Sequence, residues 1–396
     1  MMRYASVTGR LAGLGSEKWA VHVRARQMRK AGAEIIELTI GEPDIPTPPD
    51  MIEVAEQALR AGRTGYSNGR GEPGILAALA AKYSERTGRP ITPENVMCFP
   101  GTQTALSIVM LGLAEDGDEV IAGDPLYATY DGVIRTTGAT RVSVPLHPEK
   151  GFRMQAADLE KVITPKARVL LLNTPHNPTG AVLGRQELAE IGEVCRKHDL
   201  WIVSDEVYEL LIFDGQFTSP FDLPELAERT IVVSSISKSH AAPGFRSGWC
   251  VGPAEFTRRL LPLSESMLFG MQPFIADMTA YALGRPSAAA ATMRENYLRR
   301  AERIAAQLDG VAGVACKVPQ AGMFILADIR ATGLSGNDFA MRLLEEEHVA
   351  VMPGESFGEN LSGYLRLSLS VADDKIDAAC AGITRLASRL QPRKYG

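Results

Sequence analysis

The chain has 396 residues, enough to bury a large core and to divide into two domains. Hydrophobic residues make up 45% and charged residues 22%, an ordinary globular balance. A net charge of −5 argues against nucleic acid or an anionic membrane as a partner.

The stretch Met1 to Gly15 lacks the apolar core of a signal peptide, and no apolar run approaches bilayer length. A cytoplasmic location is expected. Leu11 to Gly15 carries two glycines but has no strand before it, which excludes a dinucleotide site there. Arg24, Arg26, Arg29 and Lys30 read as the solvated face of a helix. Further on, strand and helix signals alternate. Asn95 to Pro100 reads as a strand and Thr102 to Leu113 as the helix after it. Glu119 to Ala122 is a short strand. Arg168 to Leu172 is a continuous apolar run ending at Asn173, the mark of a strand covered on both faces. Arg185 to His198 reads as a helix. Leu200 to Ser204 is a strand ending at Asp205, and Thr230 to Ser234 is a strand shortly before Lys238. This alternation predicts an α/β fold with a mainly parallel sheet and helices on both sides. After about residue 285 the pattern changes to a long helix, Ala289 to Leu308, then shorter elements, the outline of a second, smaller domain. No internal repeat or flexible linker is visible.

Cys98, Cys195, Cys250, Cys316 and Cys380 are scattered, odd in number and without a CxxC pair, so neither a disulfide framework nor a zinc site is expected. Buried, unreactive thiols are the reading here. His22, His147, His198 and His348 show no metal-like spacing, and surface or capping roles are expected. His176 is expected to line a pocket without acting as a base.

In open α/β sheets ligands bind beyond the C-terminal ends of the strands. Gly101, Asn173, Asp205 and the Ser235–Lys238 segment all fall at or just past such ends. Gly101-Thr102-Gln103 opens a helix, whose free N–H groups attract phosphate. Lys238 follows Ser235 and Ser237, and Arg246 comes soon after between Gly244 and Gly248. Hydroxyls and a guanidinium suit a dianionic phosphate. Taken alone, Lys238 would read as a solvated lysine, and Asp205 as a helix N-cap.

The string Asn173-Thr-Pro-His-Asn177-Pro178-Thr-Gly180, the Asp205-Glu-Val-Tyr208 segment and Ser-x-Ser-Lys238-(x)7-Arg246 together resemble the class I and II pyridoxal-phosphate-dependent aminotransferases. The resemblance runs from about Gly41 to Ser370. It implies fold type I, with a seven-stranded-type sheet in a large domain, 45–284, and a small domain formed by 1–44 plus 285–396. It implies pyridoxal 5′-phosphate held as a Schiff base on Lys238. Gly101, Thr102, Gln103, Ser235, Ser237 and Arg246 would hold its phosphate, and Tyr127 would stack on its ring. Asp205 would keep the pyridine nitrogen protonated, the condition for a strong electron sink. Asn177 and Tyr208 would reach its O3′, and Pro178 is a candidate for a cis peptide.

Further residues follow from the same resemblance. Arg366, in Tyr364-Leu-Arg-Leu-Ser368, would bind the substrate α-carboxylate; Gly41 and Trp19 would complete the substrate site. Tyr66 would reach the partner's phosphate in a homodimer. One departure stands out: the prokaryotic aspartate enzymes of this type carry a lysine where this chain has Thr102. Aspartate is therefore disfavoured, while Arg70, on the partner's loop near Asn68, is the alternative source of the missing positive charge. The Met2-Arg3-Tyr4 start, Trp19 and Ser239-His240-Ala241 resemble the family's arginine–pyruvate members, so a non-acidic amino acid and pyruvate are expected. An aspartate or aromatic aminotransferase and a carbon–sulfur β-lyase are the catalytic alternatives. A cofactor-sensing regulator is disfavoured, because the chain reaches Gly41 too early for an N-terminal DNA-binding domain.

Overall fold

The apolar runs between residues 96 and 251 condense into one sheet in the computed structural model, which describes residues 2–14 and 18–390. Strands are numbered from β1, Ile36–Glu37. The sheet comprises β2 Val96–Phe99, β3 Glu119–Asp124, β4 Thr140–Pro145, β5 Ala167–Asn173, β6 Trp201–Asp205, β7 Thr230–Ser235 and β8 Gly248–Val251. Their order is β2-β8-β7-β6-β5-β3-β4. The five strands from β7 to β4 run parallel, and β8 is antiparallel to both neighbours.

Successive side chains of a strand point to opposite faces, and both faces are buried here. Val169 and Leu171 join a core with Leu106 and Val109 of the helix Thr102–Leu113. Leu170 and Leu172 join another with Leu188 and Ile191 of the helix Arg185–Lys197. The continuous apolar run of β5 is thus explained by two covering layers. The register aligns the strand ends: Asn173 pairs with Asp205, and Asp205 with Val233. Ser235 closes β7, and the short helix Ile236–Ser239 follows.

The rest of the chain builds a second core. After the helix Ala288–Leu308 come β9 Ala315–Cys316, β10 Phe324–Asp328, β11 Val349–Ala350, β12 Met352–Pro353 and β13 Tyr364–Ser368. Four of these form a sheet ordered β12-β13-β10-β9, while β1 pairs in parallel with β11. Val21, Ala25 and Leu38 pack with Met293, Phe339 and Ile383, so early and late parts of the chain share one interior. The first helix, Ser6–Arg10, lies elsewhere: Arg10 Nε donates to the Arg135 carbonyl at 3.1 Å, on the helix Tyr130–Thr137.

All five cysteines are free and buried. Among the described residues no helix is long and apolar enough to cross a membrane, and no cluster of His, Cys, Asp and Glu could hold a metal. Gly15 lies outside the described residues; no strand precedes Leu11–Leu14.

Candidate active site

A crevice of about 480 Å3 opens over the C-terminal ends of β5, β6 and β7. Trp19, Gly41, Thr102, Gln103, Tyr127, Asn177, Asp205, Tyr208, Ser235, Ser237, Lys238, Arg246 and Arg366 all line it. Gly101 sits just behind, and Tyr66 lies outside, 93% exposed against Phe269.

Lys238 is carried by the short helix Ile236–Ser239, whose N-cap Ser235 accepts from the Ser237 N–H. Its Nζ donates to the Gly41 carbonyl at 2.6 Å. Burial lowers the ammonium pKa to about 8, and the nearby Arg366 and Arg246 charges push the same way, against Glu42 and Asp205. With that pKa the amine loses its proton far more readily than a solvated lysine, at pH values just above neutral.

Asp205 ends β6 and is only 4% exposed. Its Oδ2 accepts from the Tyr130 hydroxyl at 2.7 Å and its Oδ1 from the Val207 N–H at 3.3 Å. No helix begins there, so the N-cap reading fails; the side chain braces a turn instead. No Lys, Arg or His forms an ion pair with it among the described residues, and burial raises its pKa to about 6. Such a carboxylate stays charged in the presence of a cation brought from outside.

Asn177 is the hub. Its N–H donates to Asn173 Oδ1 at 2.8 Å, its Nδ2 to the Tyr208 hydroxyl at 3.4 Å, and its Oδ1 accepts from Arg366 Nη1 at 3.1 Å. Asn173 Nδ2 donates to the Asp205 carbonyl at 3.0 Å, tying this loop to β6. The Asn177–Pro178 peptide is cis, as are Asp124–Pro125 and Thr174–Pro175.

Besides Lys238, two cations face the crevice without a carboxylate partner among the described residues. Arg366 on β13 is 2% exposed and lies between the rings of Phe324 and Phe357, 3.8 and 4.4 Å from their centroids. Its Nη2 donates to the Thr39 carbonyl at 2.7 Å, and its buried Nε has no partner. Burial lowers its pKa to about 10, which leaves it charged. Arg246, at φ 52°, donates from Nη1 to the Pro243 carbonyl at 2.8 Å. Gly101 has φ 90°, and a side chain there would collide with the Arg246 guanidinium. A side chain at Gly248 would strike the backbone of Gly101 and Thr102. Both glycines thus let the helix N-terminus, the Arg246 cation and the unpartnered Thr102 hydroxyl crowd together.

Tyr130, Thr39, Phe324 and Phe357 belong to this arrangement and escaped sequence reasoning. Tyr130 stands three residues past Tyr127, a signal that could have been followed; the others carry none. Arg70 does not line its own chain's crevice. It donates to the carbonyls of Glu94 and Val96, which steadies the start of β2. His176 does not line the crevice either. It lies in a small apolar cavity behind Asn173, is bonded to Thr179, and burial lowers its pKa to about 4. His198 ends the helix Arg185–Lys197 and His348 the helix Gly336–Glu347, both in capping positions.

A sequence model of the family described as aminotransferase class I and II matches residues 33–383. The chain belongs to that family. This aminotransferase is 41% identical over 389 residues to the arginine–pyruvate transaminase AruH of Pseudomonas aeruginosa, covering 98% of this chain and 99% of that protein. It is 34% identical to an aspartate/prephenate aminotransferase of Cereibacter sphaeroides, over 95% and 96% of the two chains. Among solved structures, a Thermus thermophilus aspartate aminotransferase superposes with a TM-score of 0.91 at 31% identity, covering 98% of this chain and all of that one. The fold is therefore type I, and the chain is an enzyme that moves an amino group between an amino acid and a 2-oxo acid.

Proposed function

We propose that this aminotransferase works with pyridoxal 5′-phosphate on Lys238 and moves the amino group of a non-acidic amino acid, arginine foremost, to pyruvate. The crevice fits that cofactor. Arg246, the Thr102 hydroxyl, Ser235, Ser237 and the Gly101–Gln103 helix N-terminus form a cradle for its phosphate, with donors to spare. The uncompensated Asp205 carboxylate suits a protonated pyridine nitrogen. Asn177 and Tyr208 suit the ring oxygen, and Tyr127 its face. When bound, the cofactor supplies an electron sink for the negative charge left at the substrate Cα.

The chain's own groups do the rest. Lys238, whose pKa burial lowers to about 8, carries the proton to and from Cα. Arg366, locked between two rings, holds the α-carboxylate, and Asn177 steadies that guanidinium. The burial of the crevice floor keeps water from these groups.

One observation carries the substrate reading. Lys238, Arg246 and Arg366 are the only cations lining the crevice among the described residues, and each has a role already. Thr102 offers a hydroxyl where a second carboxylate would need a cation. A second substrate carboxylate would be left partly buried and unpaired, which is costly. The 41% identical relative carries arginine and pyruvate in its name. Further parts of the reading are a large domain of 45–284, a small domain of 1–44 plus 285–396, a homodimer that places Tyr66 at the partner's phosphate, and a cytoplasmic location.

Steady-state rates over a panel of amino acids, with pyruvate and with oxaloacetate, test the substrate class. Arginine with pyruvate is expected to give the highest specificity constant and aspartate one of the lowest. A maximum for aspartate or glutamate would overturn it, and release of ammonia without alanine would mark a β-lyase.

A further inference from the structure

Trp19 lines the crevice, yet it precedes the helix Ala20–Lys30 in a part of the chain far from the strand ends. What holds it there is its neighbour. Lys18 Nζ lies 2.8 Å from Asp131 Oδ2, in the first turn of the helix Tyr130–Thr137. The Asp131 side chain is 9% exposed, and Arg141 Nε approaches its other oxygen at 3.1 Å. The Lys18 carbonyl accepts from the buried Ser356 hydroxyl at 2.7 Å. Lys18 is thus fastened on both sides of the crevice, by its side chain to the unit built on the seven-stranded sheet and by its backbone to the other core.

We propose that Lys18 and Asp131 form a clasp that fixes Trp19 as a wall of the substrate side-chain pocket, making Lys18 a specificity-determining positioning residue. This rests on the aminotransferase site proposed above. The geometry leaves Trp19 little freedom. Its ring packs partly buried against the cluster of Ala128, Met352 and Phe357 and meets the His22 ring edge-on at 6.0 Å. Asp131 directly follows Tyr130, whose hydroxyl holds Asp205. The clasp therefore references the pocket wall to the same helix that steadies the site's floor. A long side chain must pass along the Trp19 face, whereas a methyl group does not reach it, so the clasp discriminates donors by side-chain length. Arg141 stays beside Asp131 when Lys18 is replaced, so no buried charge is left bare and the fold survives the substitution.

The test is Lys18→Met in the cofactor-loaded enzyme, with arginine and alanine as donors to pyruvate. The KM for arginine is expected to rise about tenfold, with that for alanine and both kcat values within about twofold. The visible band of the bound cofactor stays unchanged, and Lys18→Arg restores the arginine KM. In a Trp19→Ala background Lys18→Met adds nothing, the mark of a residue acting through its neighbour. Amide hydrogen exchange over residues 18–30 rises in Lys18→Met. Equal changes for both donors, or unchanged exchange, would overturn the clasp. Should the wild type transaminate no amino acid at all, the functional reading falls, and the exchange measurement still decides the clasp.

Discussion

At the floor of the crevice, Asp205, Asn177 and Arg366 are 4%, 4% and 2% exposed; at its rim, Ile40 is 42% exposed and Tyr66 outside it 93%. Asp205 and the loop carrying Asn177 hang from adjacent strand ends in fixed register, with Asn173 opposite Asp205, and Arg366 reaches them from β13. The floor's polar groups are cross-bonded, so each holds its neighbour's rotamer. The rim comes from segments far apart in the chain: Trp19, Ile40 and Gln103 share no element. A shared reaction needs the first kind of construction, because charge stabilisation demands donors fixed before the substrate arrives. Discrimination among donors needs the second, where a residue can be exchanged without disturbing the sheet.

Substitutions should therefore hurt most at the floor. Lys238→Ala is expected to abolish both turnover and the visible band of the bound cofactor while leaving the circular dichroism spectrum intact. Retained activity would remove the basis of the proposed chemistry.

Asp205→Asn sharpens the contrast because activity and stability should part. Turnover is expected to fall by about 10^3-fold or more, the scale of losing a buried charge partner at a reacting centre. Without the cofactor the opposite sign applies to folding. A carboxyl whose pKa rises on folding, here from 3.8 to about 6, binds more protons folded than unfolded. Its contribution is fully present below pH 3.8 and is lost as pH rises through about 6. Stripped of cofactor, Asp205→Asn should thus match the wild type near pH 4 and gain on the order of 3 kcal/mol above pH 7. Urea midpoints across that range decide it, and a gap that shrinks with rising pH would contradict the buried charge.

The smallest effect belongs to Tyr66, outside the crevice. Tyr66→Phe removes one hydroxyl proposed to reach the partner's phosphate, and cofactor retention on dialysis should weaken by about tenfold at most. Light scattering should return a dimer for both proteins. A fully active monomer would leave Tyr66 without that role.

The same division governs what could be read from sequence. Lys238, Asp205 and Asn177 were legible because strand signals end where polar residues begin, and because their motifs are long. β6 was expected at Leu200–Ser204 and runs Trp201–Asp205; β5 was expected at Arg168–Leu172 and gains a residue at each end. Ladder ends depend on the neighbouring strand, which a single strand's sequence does not contain. Tyr130 was missed because a tyrosine opening a helix is an ordinary core residue until its hydroxyl is seen to meet Asp205. The Phe324 and Phe357 faces and the Thr39 carbonyl were invisible for a related reason. Ring faces and backbone oxygens contribute to a site without leaving a residue type that betrays them.

The clamp on Arg366 has a geometric consequence. Two aromatic faces and the Thr39 carbonyl hold the guanidinium, so a carboxylate docked on it cannot swing toward the other side of the crevice. On the proposed roles the amino nitrogen is directed to the Lys238 side. With two of the four bonds of Cα thus assigned, exchanging hydrogen and side chain turns the hydrogen away from the amine that must remove it. Handedness is then decided by an anchor that touches neither, and mirror-image amino acids are excluded whatever side chain they carry.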